Sequence, residues 1–151
     1  DQPVNPMKQL VSAGATFIAR TTHTQPVHMA QMFERAMKHD GFAVVECLSE
    51  CVEFFEGAFD ASNPRKGGKF QIIEERKWDH TPEDEARHDV TDEVAAYKLA
   101  MLPFPGVFGV FYENDRPSKN ALEQKISDNA RERTKGAAAL DLLKSTFARL
   151  K

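Results

Sequence analysis

The chain has 151 residues, enough for one domain with a sizeable core, and its 41% apolar content is ordinary for a soluble globular protein. With 28% charged residues and a formal net charge of −3, composition gives no ground for a nucleic-acid or membrane-surface partner. No apolar run reaches the roughly 18 residues of a spanning helix and no signal-peptide pattern is present, so the default expectation is a cytoplasmic protein with no membrane segment.

In chain order, Asn5 to Ser12 reads as the end of a helix, with Gly14 placed to stop it. Ala15 to Arg20 is a short β-prone run, followed by the polar stretch Thr21 to Gln25. Pro26 suits a helix's first turn, and Met29, Met32, Phe33, Ala36 and Met37 then repeat at helical spacing until Asp40-Gly41. Phe42 to Leu48 is a nearly continuous apolar run of the kind found in buried parallel strands. Strand, helix and strand in that order predict a parallel βαβ unit with a right-handed crossover.

The middle is less regular. Phe54, Phe55 and Phe59 are expected to pack in a short helix or turn, Ser62 to Gly68 is a loop by composition, and Phe70 to Ile73 is a candidate short strand. Thr81-Pro82-Glu83-Asp84 reads as the opening of one short helix, and Thr91-Asp92-Glu93 as the opening of another. Val107 to Phe111 is a predicted strand. Pro117-Ser118 starts a polar helix toward Arg133, and a final amphipathic helix after Gly136 carries Leu140, Leu142, Leu143, Phe147 and Leu150. From Arg116 to Lys151 there are nine basic and four acidic residues, read as a solvated helical face. The fold class is therefore α/β.

Two cysteines make no disulfide framework. If Cys47 and Cys51 shared one extended strand, their Cα atoms would lie about 13 Å apart at roughly 3.3 Å per residue, beyond bridging reach, and a reduced compartment fits better. Cys51 falls just past the carboxyl end of the second predicted strand, where open α/β sheets bind their ligands. A cysteine there presents its thiolate to a metal or an electrophile, whereas Cys47, inside the strand, is expected to be an inert core residue. One cysteine cannot hold a metal alone, because zinc and iron–sulfur sites need about four ligands.

The histidines are weaker candidates: His23, His28, His39 and His80 show no metal spacing, and His88-Asp89 is the best pair, read as structural or solvent-facing. Glu46 within an apolar strand needs a partner and is read as a paired structural group. No phosphate-binding, dinucleotide-binding or nucleophile-elbow motif is present.

Asn5-Pro6 with Ala13-Gly14-Ala15-Thr16-Phe17-Ile18-Ala19-Arg20 resembles the NP…A-x-GATF[VI]AR stretch of 2-oxoacid:ferredoxin oxidoreductase β subunits. His39-Asp40-Gly41-Phe42-Ala43-Val44-Val45-Glu46 and Leu48-Ser49-Glu50-Cys51-Val52 resemble that family's H-x-GF-x-[FV]-[VI]-E-x-LSPCV stretch. Gly57 to Asp60, His88 to Asp92 and Gly106 to Pro117 also have counterparts, in the same order.

The resemblance implies the C-terminal half of a β subunit of the 2-oxoglutarate type. Residues 1–60 would end a thiamine diphosphate-binding α/β domain, with 61–151 as a C-terminal extension carrying helices. It implies Cys51 as the last ligand of a [4Fe–4S] cluster; Glu50 stands where the family has proline, adding a negative charge that lowers the potential. The cofactors implied are thiamine diphosphate, Mg2+ (magnesium) and the cluster, all needing a CxxC pair, a third cysteine and a GDG…N segment from outside this chain. This stretch alone is then expected to bind no cofactor and to be inactive. Its start at Asp1, not Met, is expected to mark a processing site, an expression boundary or a cut within a longer reading frame, three origins the sequence leaves open. The implied reaction is CoA-dependent oxidative decarboxylation of a 2-oxoacid, with an α subunit, the N-terminal half of the β subunit and ferredoxin as partners. Two alternatives stand beside it. One is a cofactor-free structural or assembly module that kept the fold; the other is a cysteine-based thiol enzyme, which would need a base near Cys51.

Overall fold

The computed structural model describes residues 4–76, 86–135 and 138–148. It divides into two compact units, Asp1–Arg116 and Pro117–Lys151. The helix expected to open at Thr81 to Asp84 lies outside the described residues, as does His80.

The first unit opens with helix α1, Pro6–Ser12, whose first turn is capped by the Asn5 side chain accepting from the Lys8 amide. The Asn5 amide also donates to the Ala100 carbonyl at 2.8 Å. Strand β1 spans Phe17–Thr22, helix α2 Pro26–Lys38 and strand β2 Ala43–Leu48, and β1 and β2 are parallel from Phe17 opposite Ala43 to Thr22 opposite Leu48. The expected βαβ unit is present. β1 runs two residues further than its apolar stretch, taking Thr21 and Thr22 into the sheet with no exposed surface.

Helix α3, Glu93–Ala100, starts where Asp92 accepts from the Val94 and Ala95 amides, and strand β3, Gly109–Glu113, returns antiparallel to β1. Gly109 sits at φ +126°, and a side chain there would come within 3.3 Å of Ile73, beside a register shift between Ile18 and Ala19.

The strand order is β2-β1-β3, which makes β1 the central strand. Side-chain alternation along β1 divides the core between its two faces. Ile18 packs with Met7 and Val11 of α1, Ala96 and Ala100 of α3, Ile73, Phe111 and Tyr112, whereas Phe17 and Ala19 pack with Met32 of α2 and Val110.

Several expectations need correction. β2 is an edge strand and only half-buried, so Cys47 is exposed rather than part of the core. An apolar run alone cannot distinguish a strand flanked on both sides from one at the rim, because sheet order depends on distant chain. Phe54 (92% exposed) and Phe55 are also outside the core, and of the three phenylalanines in that stretch only Phe59 is buried. On α2, Met32 is buried and Ala36 packs on the sheet, but Phe33 and Met37 face solvent. The Phe70 to Ile73 stretch contributes one isolated bridge, Ile72 to Phe108, not a strand.

The second unit contains helix α4, Lys119–Arg133, capped by Ser118 onto the Ala121 amide, and helix α5, Ala139–Ala148. Both were expected. Leu122 and Ile126 on α4, and Leu140, Leu143 and Phe147 on α5, are exposed.

Candidate functional site at the carboxyl end of the parallel strands

The parallel pair ends at Thr22 and Leu48, and the loops that follow meet there. The His23 amide donates to the Leu48 carbonyl at 3.0 Å, and the His23 ring lies 3.3 Å from the same oxygen. Cys51 follows β2 by three residues and is an exposed free thiol, as its position in the sequence predicted. Its carbonyl accepts from the Phe54 amide at 3.3 Å and the Phe55 amide at 2.9 Å, so the chain turns back immediately after the thiol. Across the base of this turn the Glu50 carboxylate accepts from the Gly57 amide. Phe59 then anchors the far end, its ring 6.2 Å from His23 and 5.4 Å from Phe104 between centroids.

Beneath this rim lies a cross-strand ion pair. Arg20 donates to Glu46, its register partner on β2, and to the Pro105 carbonyl at 3.3 Å; its guanidinium carbon stands 5.4 Å above the Phe111 ring. Glu46 thus has the partner that a carboxylate in an apolar strand requires. On the opposite face, the His28 ring is 2.9 Å from the Thr21 hydroxyl and meets Phe70 edge-on at 5.1 Å. Burial lowers the pKa of the His28 imidazole from its ordinary value.

The other sequence candidates lie elsewhere in structural roles. His88 binds the Phe111 carbonyl at 2.7 Å. The Asp89 carboxylate accepts from the Thr91 hydroxyl and amide, which hold its pKa below the usual aspartate range, and it also faces Arg76. His39 bonds Thr16 at 2.9 Å and packs on Phe17. Cys47 points toward α2, where its thiol lies 3.5 Å from the Met29 sulfur. Among the described residues, no group of three or more His, Cys, Asp or Glu side chains is gathered closely enough to hold a metal. No described helix is long and apolar enough to cross a membrane.

Two features escaped the sequence reading. The Glu50 contact to Gly57 spans seven residues and leaves no local pattern; its one signal was an acidic residue where the resembling motif has proline. Arg20 gave no sign of being the partner of Glu46, because that pairing depends on the parallel register.

No family model matches the chain. Among characterised proteins it is similar to the 2-oxoglutarate oxidoreductase subunit KorB of Mycobacterium tuberculosis, 33% identical over 76 residues, which is 50% of this chain and 20% of that protein. It is also similar to the β subunit of 2-oxoacid:ferredoxin oxidoreductase 1 of Aeropyrum pernix, 25% identical over 124 residues, 82% of this chain and 38% of that one. Among solved structures it is similar to a chain of the 2-oxoglutarate:ferredoxin oxidoreductase of Magnetococcus marinus, determined with 2-oxoglutarate, coenzyme A and succinyl-CoA bound. That likeness has a TM-score of 0.68 at 28% identity and covers 100% of this chain and 46% of that one. In each case the chain matches less than half of the relative's own length.

Proposed function

We infer that this chain, a relative of the 2-oxoacid:ferredoxin oxidoreductase β subunits, forms the C-terminal half of such a subunit and contributes Cys51 as an iron–sulfur ligand. The observation that carries the reading is the position of Cys51: an exposed thiol on a turn closed by backbone hydrogen bonds, at the carboxyl end of the parallel pair. It is there that α/β sheets bind ligands. A single soft thiolate so presented fits one corner of a cluster, and the other corners would then be supplied from outside the described residues. Among the described residues β2 has no neighbour on its outer side, which supports the same division, since an edge strand presents amides and carbonyls that an N-terminal half of the subunit would cover.

In this reading, residues 1–60 close a thiamine diphosphate-binding domain and residues 61–151 form the extension that returns β3 to the sheet. Thiamine diphosphate with Mg2+ supplies the decarboxylation chemistry when bound, and the [4Fe–4S] cluster the electron route. The chain's own residues would serve the cluster. Cys51 would hold one iron of the cluster through its thiolate, while the Glu50 contact shapes its loop and Arg20 with Glu46 ties the two strand ends from which the loops depart. The reaction is CoA-dependent oxidative decarboxylation of a 2-oxoacid, with electrons leaving one at a time to ferredoxin and an α subunit completing the enzyme. Two of the three relatives carry 2-oxoglutarate in their names, which favours that substrate.

Two single substitutions in the complete enzyme test the ligand role. Cys51→Ser is expected to lower cluster content and ferredoxin reduction, and Cys47→Ser, which alters a thiol facing α2, to leave both near normal. Equal, near-normal ferredoxin reduction in the two variants contradicts the assignment of Cys51 as a cluster ligand.

A further inference from the structure

We propose that Glu50 is a positioning residue for Cys51, its carboxylate clamping the thiol-bearing loop by accepting the Gly57 amide hydrogen. The proposal rests on the reading of Cys51 as a cluster ligand and adds how this chain fixes the ligand's loop without a proline.

The loop has little else to hold it. Val52, Phe54 and Phe55 are all exposed, so no apolar side chain anchors the stretch between Glu50 and Gly57. Its hold is polar. The Cys51 carbonyl gathers the Phe54 and Phe55 amides, and the Glu50 carboxylate closes the base of the turn on Gly57. A hydrogen bond to an ionised acceptor is roughly twice as strong as a neutral one, which suits it to a loop with no apolar anchor.

Gly57 is shaped for the contact. It sits at φ +73°, where L side chains rarely go, and a side chain there would come within 3.1 Å of the Asp60 carboxylate. The Asp60 amide donates to the Gly57 carbonyl at 3.1 Å, and Phe59 is buried next to it. One end of the clamp is therefore fixed to the folded body, and the other is the residue next to the thiol. Proline restricts a loop by fixing φ; Glu50 restricts this one by a bond across it.

Amide hydrogen exchange at Gly57 in the full-length protein tests the clamp in wild type and in Glu50→Ala, Glu50→Asp and Glu50→Gln. Exchange is expected to be about ten-fold or more faster in the alanine and aspartate variants, through loss of a hydrogen bond to a charged group. In the glutamine variant the rate is expected to fall between those of wild type and the alanine variant, because its side-chain oxygen reaches the same amide without the charge. Glu50→Asp keeps the charge but is one methylene shorter, so it gives the answer if the alanine variant does not fold; the Ala19 amide within the sheet reports folding in each. Equal exchange in all four proteins, or a glutamine variant as loose as the alanine one, overturns the proposal. Iron retained per chain in the complete enzyme separates the clamp from the reading beneath it. Iron lost in Glu50→Ala and recovered in Glu50→Gln supports positioning, whereas faster Gly57 exchange with iron fully retained overturns it. Wild-type enzyme without iron overturns the cluster reading itself and leaves Gly57 exchange to judge the clamp.

Discussion

The Thr22 hydroxyl, the Thr24 hydroxyl and His28 Nε2 are buried without a hydrogen-bond partner among the described residues, in or next to the turn from β1 into α2. An unsatisfied buried polar atom is costly, and the cost rises sharply if the group is charged. For His28 this has a consequence in pH. Burial lowers its pKa from the ordinary 6.5, so below about pH 6.5 the unfolded chain binds more protons at this residue than the folded chain does. The stability that His28 contributes is complete above that value and is lost as pH falls toward the folded pKa. Denaturant titrations on either side of about pH 6.5 are expected to show this loss in the wild type and a shallower one in His28→Gln. The same pH slope in both proteins would remove His28 as its source. In the sequence His28 is one of several histidines without metal spacing; its lowered pKa comes from burial, with Phe70 packed edge-on against its ring, which periodicity does not encode.

The contact between β1 and β2 is made by more than their backbone ladder. Arg20 and Glu46 are opposite each other in register and largely withdrawn from solvent, with Arg20 also held by the Pro105 carbonyl. Removing one member of such a pair leaves an uncompensated charge, so Glu46→Leu is expected to cost about 3 kcal/mol in unfolding free energy. Arg20→Leu together with Glu46→Leu is expected to recover much of that, because replacing both charges with apolar groups is often neutral. A double variant no more stable than Glu46→Leu would show that the pair acts through something other than mutual neutralisation. Much of this level was legible in advance. Helical spacing and caps located α2, α3 and α4, and the alternation of strand and helix implied the parallel pair. What escaped was the order of strands. An apolar strand implies a core position for Cys47, and the phenylalanine cluster implies packing for Phe54 and Phe55, yet β2 is at the rim and Phe54 and Phe55 in the following loop are exposed. Apolar character reports what a residue tolerates; where the chain places it is decided by pairings with distant segments.

In one relative sequence likeness covers 82% of the chain and in the solved structure likeness in fold covers all of it, while less than half of each of these proteins is matched. Those proportions fit the proposed half-subunit, in which the β2 edge would take a neighbouring strand and Cys51 would join three further ligands. Both needs point to the same source. The half-subunit reading is tested most directly by the coding sequence immediately upstream of Asp1. It predicts an in-frame CxxC pair, a third cysteine and a GDG…N segment, which would make Cys51 the fourth ligand of a complete β subunit. A start codon close to Asp1, with no neighbouring gene carrying those motifs, would contradict it and leave a cofactor-free module that has kept the fold.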